Sequence, residues 1–276
     1  MLCARLVLLL VAAVLPVACG AVRAPFSSGP GAARDWAPDP EAERTVRESL
    51  AQSQGVDALE AWEMNGLSQS FRFAIARKWT GERVKVLAYV LSPDLLRGAA
   101  YVGHLRPHAL VETWFREPEA NGGPDDGRVR RGRGRGGPAA VVIAGEVVLP
   151  TLPENYAFRR LPDQILEGDA CSVIEGRLLD ERRRRGFDRV VFWISQQNGV
   201  TRRKVYYRAG RELRRVSVAE RDVREMDGRP FAVRRVVRLD DGTLAELVLH
   251  NAVLDVELPD RLFTEQTLRL RRFPRF

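Results

Sequence analysis

RVVFWISQQNGVTRRKVYYRAGRELRRVSV (Arg189–Val218), then PFAVRRVVRL (Pro230–Leu239) and TLAELVLHNAVLDVEL (Thr243–Leu258), carries the clearest structural pattern of the chain. Apolar and polar residues alternate through much of it, which is the period-2 signature of strands with one covered face. The runs are separated by QNG, AG, DG and DDG. Asn198-Gly199 and Asp241-Gly242 supply the positive φ that tight hairpins need. The prediction is a long antiparallel meander. Such a sheet must curl around something apolar, and what fills the curl decides the function.

Working towards the N-terminus, the same pattern continues. Strands are expected to begin near Gln69. In SFRFAIAR (Ser70–Arg77), Phe71, Phe73 and Ile75 are assigned to one face, and Arg72 and Arg77 to the other. A turn at Thr80-Gly81-Glu82 leads into RVKVLAYVL, with Val84, Val86, Ala88 and Val90 on one face. Both faces become apolar towards its end, so this strand should be central and covered on both sides. Ala99–Leu105 and Ala109–Arg116 read as two more strands, and AAVVIAGEVVL (Ala139–Leu149) as another. TLPENYAFRRLPDQILEGDA (Thr151–Ala170), with two prolines, reads as a loop with a short helix. Arg182 to Arg185 form a charged turn rather than a nucleic-acid site.

One amphipathic helix is predicted in PEAERTVRESLAQSQG (Pro40–Gly55). Val46 and Leu50 lie four apart, acids occupy the first turn, and Gly55 follows the end. Val56–Trp62 could extend it after a break. NGGPDDGRVRRGRGRGGP (121–138) has no apolar periodicity and is expected to be a mobile, disordered insertion. It is either a solvated hairpin extension or an electrostatic hook for anionic lipid, polymer or RNA.

The chain has 276 residues, enough for one large domain. Arg5 followed by LVLLLVAAVLPVAC reads as a secretory signal over residues 1–20. Leu15-Pro16-Val17-Ala18-Cys19-Gly20 resembles a bacterial lipobox, with Pro16 where Leu is usual. Lipidation at Cys19, giving a membrane tether, and ordinary cleavage near Gly20 or Ala21 both remain open. Residues 21–40 are rich in Pro, Gly, Ser and Ala and form a flexible linker. Residues 41–276 are then a single domain, and with no second hydrophobic run of spanning length it should be soluble. The expected location is the periplasm, free or lipid-anchored. Cys171 is left alone in the folded part, as a buried strand residue. The net charge of +8 suits anionic envelope components; an exported chain has no call for nucleic acid.

Chemistry is scarce. His104 and His108 are four apart, but Pro107 and the strand context spoil a metal geometry, and His250 sits in an apolar strand as a structural residue. No Gly-x-Ser-x-Gly elbow or phosphate-binding loop occurs. Asp125-Asp126 and Asp240-Asp241 are turn residues. No catalytic residue, metal or cofactor is expected, and a binding protein is favoured over an enzyme.

Several segments resemble the outer-membrane lipoprotein-sorting family, the LolA/LolB-like group. VLAYVLSPDLLRGAAYVGHL is similar to its strand, Pro-Asp turn, Arg-Gly and second strand, and ETWFREPEA to its Trp-Leu-Tyr-x-Pro segment. FDRVVFWISQQNGVTRRKVYYRAGRELRRVSV and REMDGRPFAVRRVVRLDDGT are similar to its late hairpins. LHNAVLDVELPDRLFTEQTL resembles its ending, with Leu-Pro-Asp-x-Leu-Phe-Thr after the last strand. The resemblance covers roughly Gln69 to Leu270 apart from the insertion. LPTLPENYAFRRL departs from the family's Gly-Ser-Asp-Phe-type segment.

The resemblance implies a mainly β chain with accessory helices: a half-open, strongly curved antiparallel β-barrel, with helices closing the mouth and acyl chains in an apolar interior. It implies a carrier or acceptor for lipoproteins, or an envelope-stress sensor contacting an inner-membrane protein complex. In carriers an arginine holds the helical lid shut; Arg72 and Arg77 are the candidates here. The candidate cavity lining is Phe71, Phe73, Ile75, Val86, Val90, Tyr101, Phe192, Val205, Tyr207, Phe231, Val233, Leu247 and Leu249. Alternation assigns these to shared faces without saying whether a face meets a cavity or a helix.

Overall fold

The computed structural model describes residues 37, 39–81, 83–107, 109–117, 129–131, 139–179, 186–271 and 273–274. The expected signal sequence with Cys19, most of the expected linker, His108, most of the arginine-rich insertion and the Arg182–Arg185 run lie outside these residues.

Asp39 opens the first helix by accepting a hydrogen bond from the Ala42 amide at 3.0 Å. Pro40 at the first helical position needs no amide partner, so α1 runs Pro40–Gln54, as expected. The next segment is a strand, not a helical extension: β1 is Ala58–Asn65. Then follow β2 (Phe71–Thr80), β3 (Arg83–Ser92), β4 (Ala100–Arg106), β5 (Ala109–Arg116) and β6 (Val129–Arg131). Strand β6 lies within the segment expected to be wholly loop. It adds a short edge to β5 through Trp114, Phe115 and Arg116.

Ala139–Val148, expected as a strand, is helix α2. Apart from Glu146 its sequence is apolar, and Ile143 and Val147 pack into the concave core. A helix there satisfies its own backbone, whereas a lone strand would bury unpaired amides and carbonyls. The segment expected as a loop is β7 (Tyr156–Leu166), entered through a 3-10 turn at Pro153–Asn155. Pro162 is tolerated because β7 is an edge strand with a bulge between Leu161 and Gln164.

The meander continues as β8 (Asp169–Leu178), β9 (Arg189–Ser195), β10 (Thr201–Arg208), β11 (Arg211–Ser217), β12 (Val223–Met226), β13 (Arg229–Ala232), β14 (Arg234–Leu239) and β15 (Leu244–Leu254). Its turns are those the sequence announced: Gly199 and Gly242 have φ of 71° and 88°. The chain ends with helix α3 (Glu265–Leu270).

Thirteen strands form one antiparallel sheet in the order β6-β5-β4-β3-β2-β1-β15-β14-β11-β10-β9-β8-β7, with β12–β13 as a separate ribbon. The two outermost strands, β6 and β7, do not pair, so the sheet is a curved half-barrel rather than a closed one. These two edges are consecutive in sequence. The segment between them carries α2, which packs into the concave face.

Each face of the sheet has its own core. Trp62, Phe73, Ile75, Val86, Phe192, Val237 and Leu247 line the concave side with Val46 of α1 and Ile143 of α2. Ala74, Leu87, Tyr89 and Val102 on the convex side are covered by Leu258, Phe263 and Leu268 of the C-terminal segment. Strand β3 is thus covered on both faces, as predicted.

Candidate functional site

The concave face is the candidate site, and α2 occupies its middle. Phe73, Ile75, Val86, Phe192, Phe231 and Leu247 are buried in the concave core, with Phe71, Tyr101, Val233 and Leu249 packed against it half-buried. Val90 continues the inner face of β3 but sits at the strand's end, outside the apolar cluster.

Two candidates lie on the other face. Val205 pairs with Val191 and Arg215, and Tyr207 with Arg189, whose guanidinium stacks 4.1 Å from the ring centre. The inward residues of β10 are Lys204 and Tyr206 instead. Residues 204–206 are all buried, so apolarity did not mark which face turns in.

The arginines of β2 need a similar correction. Arg72 and Arg77 lie an odd number of positions apart along β2 and point to opposite faces. Arg72 is exposed, whereas Arg77 is buried with Phe73 and Ile75 inside. Arg77 donates at 3.0 Å to the Glu60 carboxylate, which also accepts from the Trp62 indole at 2.7 Å. Its other arm donates to the Val147 carbonyl of α2 at 2.6 Å.

Arg77 is one of several cations gripping α2. Arg235 donates to the Glu146 carbonyl at 3.1 Å and Arg214 to the Val142 carbonyl at 2.9 Å. The Glu146 and Val147 carbonyls belong to the last turn, where no intrahelical donor remains and the helix dipole favours positive charge. The Glu146 carboxylate meets Lys204 at 2.8 Å and Arg214 at 2.7 Å, and accepts from the Tyr206 hydroxyl at 3.3 Å. Arg214 and Lys204 stack on the Tyr206 ring, and Arg235 on Trp62.

Electrostatics follow from this crowding. Burial pushes the Glu146 pKa up, but the charges of Arg214, Lys204 and Arg235 and the Lys204 hydrogen bond outweigh it and hold it at about 2. Lys204 moves the other way for an amine partnered by a carboxylate. Burial and the neighbouring arginines lower it more than Glu146 raises it. Glu146 is thus firmly ionised, and Lys204 is the strained member.

Sequence reading missed this network. One signal was present: Glu146 is the single charged residue between Ala139 and Leu149, and a lone acid in an apolar run calls for a buried cation.

Little open space remains. A cleft of about 50 Å³ lies between α1 and the sheet, lined by Leu50, Glu146, Phe192, Lys204, Val216 and Arg235. That is room for a few waters at most. A shallow outer depression of about 550 Å³ beside β12 has mixed walls, with Gln52, Gln197, Asn198, Arg224 and Glu225 beside Val223 and Pro230.

Other sequence candidates have local partners. His104 shares a 2.7 Å hydrogen bond with the Phe263 carbonyl, and His250 one of the same length with Glu63. Cys171 is fully buried in β8. Among the described residues no cluster of three His, Cys, Asp or Glu side chains could hold a metal. No helix among them is long and apolar enough to cross a membrane.

No curated protein matches the chain. A family model described only as "-like: Uncharacterized protein" matches residues 148–270, from the end of α2 to the end of α3. Solved structures are similar over most of the chain. A domain from Vibrio parahaemolyticus, named for outer membrane lipoprotein sorting, is 19% identical with a TM-score of 0.67, covering 83% of this chain and 99% of its own. A DUF1329 family protein from Desulfovibrio piger is 16% identical with a TM-score of 0.67, covering 84% and 99%. A LolA superfamily protein from Nitrosomonas europaea is 15% identical with a TM-score of 0.60, covering 82% and 98%. At these identities the likeness is one of fold. The chain has the LolA-like fold, a half-open β-barrel with helices on its concave side.

Proposed function

We propose that this protein is a carrier or acceptor of lipid or lipoprotein acyl chains in the bacterial envelope, working from the periplasm after signal removal. The observation that carries this reading is α2. A largely apolar helix that pairs with no strand fills the concave face, and among the described residues side chains of the sheet hold it there. Swung aside, it leaves Phe73, Ile75, Val86, Phe192 and Leu247 to line a trough for acyl chains. Each buried methylene contributes about 0.8 kcal/mol, so ten give roughly 8 kcal/mol against the cost of displacing the helix.

Arg77 is the lid-holding arginine in this reading, through its bond to the Val147 carbonyl. The fold of the sorting domain and of the LolA superfamily protein supports it. Binding and release of an acyl chain call for no nucleotide or metal, and the role proposed is a non-enzymatic one. The test is native mass spectrometry of the chain after Cys19, purified from a periplasm. A bound mass extractable as lipid is expected. A bare protein that also ignores added amphiphiles overturns the proposal.

A further inference from the structure

We infer that the ligand is an anionic amphiphile, whose carboxylate or phosphate takes the place of the Glu146 carboxylate between Lys204 and Arg214 while its acyl chain replaces α2. This rests on the carrier reading and adds the headgroup to it.

The argument is one of charge left behind. Arg77, Lys204, Arg214 and Arg235 all project from the sheet onto α2, while the sheet itself faces that helix with one carboxylate, Glu60, already held by Arg77. The carboxylate partner of Lys204 and Arg214 and the carbonyl partners of Arg214 and Arg235 belong to α2, whereas the charge of Glu60, on the sheet, also acts on Arg235. When the helix leaves, Lys204 and Arg214 lose their carboxylate together in a water-poor concavity, where an unpaired charge is strongly disfavoured, while Arg235 keeps the charge of Glu60. A neutral acyl chain cannot replace what Glu146 supplied. An anionic head can, with charge-assisted hydrogen bonds at the same two nitrogens.

The site also has spare donor capacity. The Arg214 Nε hydrogen and that of Arg77 are buried without an acceptor. A phosphate or carboxylate with more lone pairs than one glutamate side chain could engage the Arg214 fork more fully. The cleft lined by Glu146, Lys204 and Arg235 opens beside α1, so the headgroup would lie at the α1 side. Helix α2 therefore acts as an internal stand-in for the ligand: apolar body, one anionic group, and carbonyls at its end.

The test compares ligands that share a chain and differ in head. Palmitate, hexadecyl phosphate and uncharged hexadecanol are titrated into the mature chain by tryptophan fluorescence, alongside inorganic phosphate. Palmitate and hexadecyl phosphate are expected to bind about tenfold tighter than hexadecanol or more, and inorganic phosphate far more weakly than either. Their ranking separates a carboxylate from a phosphate source. Equal binding of hexadecanol overturns the headgroup assignment while leaving the carrier reading intact. No binding by any amphiphile overturns both. Inorganic phosphate binding as tightly as the amphiphiles would reduce the site to a simple anion pocket.

Two variants sharpen the result. Glu146→Gln removes the internal competitor and should tighten palmitate several-fold more than hexadecanol, an effect that a merely structural glutamate would not produce. Lys204→Met with Arg214→Met should erase the palmitate preference. The wild-type ligand series stands without either variant, should they fold poorly.

Discussion

Glu146→Gln is the perturbation with the most to say about how the half-barrel is closed. The substitution keeps the shape and removes one charge from a point 2.8 Å from Lys204 and 2.7 Å from Arg214. Breaking a buried ion pair by removing one partner costs about 3–5 kcal/mol. The depressed pKa gives an independent figure: from 4.5 to about 2, at about 1.4 kcal/mol per unit, comes to about 3 kcal/mol. Lys204 limits the damage, since burial already favours its neutral form, and giving up its proton would relieve part of the repulsion. The expected loss is therefore about 3 kcal/mol. With a urea m-value of about 2–3 kcal/mol/M, the midpoint falls by about 1 M or more. The same variant should take up more of a hydrophobic dye below the transition, because the helix it loosens covers the apolar trough. A melt within 1 kcal/mol of wild type together with unchanged dye uptake would refute the idea that this carboxylate fastens α2.

Three further outcomes are expected. Arg77→Leu strands the Glu60 carboxylate and frees the Val147 carbonyl, costing about 3–5 kcal/mol; adding Glu60→Gln should recover a substantial part, measured as a double-mutant cycle by urea denaturation. Because the folded pKa of Glu146 is depressed, its contribution is present above pH 4.5 and lost as pH falls towards 2. The stability gap between wild type and Glu146→Gln should accordingly close between pH 5 and pH 2, and a gap independent of pH contradicts the charge argument. Phe263→Ala empties a fully buried position under the convex face and should cost about 3–5 kcal/mol by thermal melting, without changing amphiphile affinity.

The legibility of this chain was uneven for physical reasons. From β8 onward nearly every hairpin carries a residue made for positive φ, such as Gly168, Gly199, Gly210 and Gly242, so the meander could be read directly. Helix α1 was equally plain through Asp39, Pro40 and the acids of its first turn. Helix α2 was not, because apolar residues run almost unbroken along it and hide the 3.6 period, and its valines and isoleucine mimic a strand. β1 was hidden by Glu60, a polar residue whose inward position makes sense only beside Arg77. The lining of β10 was misassigned because both faces are covered, so Lys204 and Tyr206 look no more interior than Val205 and Tyr207. Charges inside a cavity break the rule that inward means apolar, and the network gripping α2 was invisible to alternation for that reason.

The position of β15 beside β1 has a kinetic meaning. The large sheet is two runs of largely neighbouring strands, β1–β6 and β7–β15, stitched along a single seam where Trp62 faces Leu249. Glu63 and His250 meet across that seam from 187 residues apart in sequence, while most other ladders join near neighbours. Loop-closure entropy makes such a pairing late and slow. Until it forms, each half presents a raw edge of unpaired amides and carbonyls. The expected error in refolding is the exchange of halves between two molecules, each β1 finding the other's β15. Refolding yield should fall as protein concentration rises, with a dimer that keeps native strand content as the by-product.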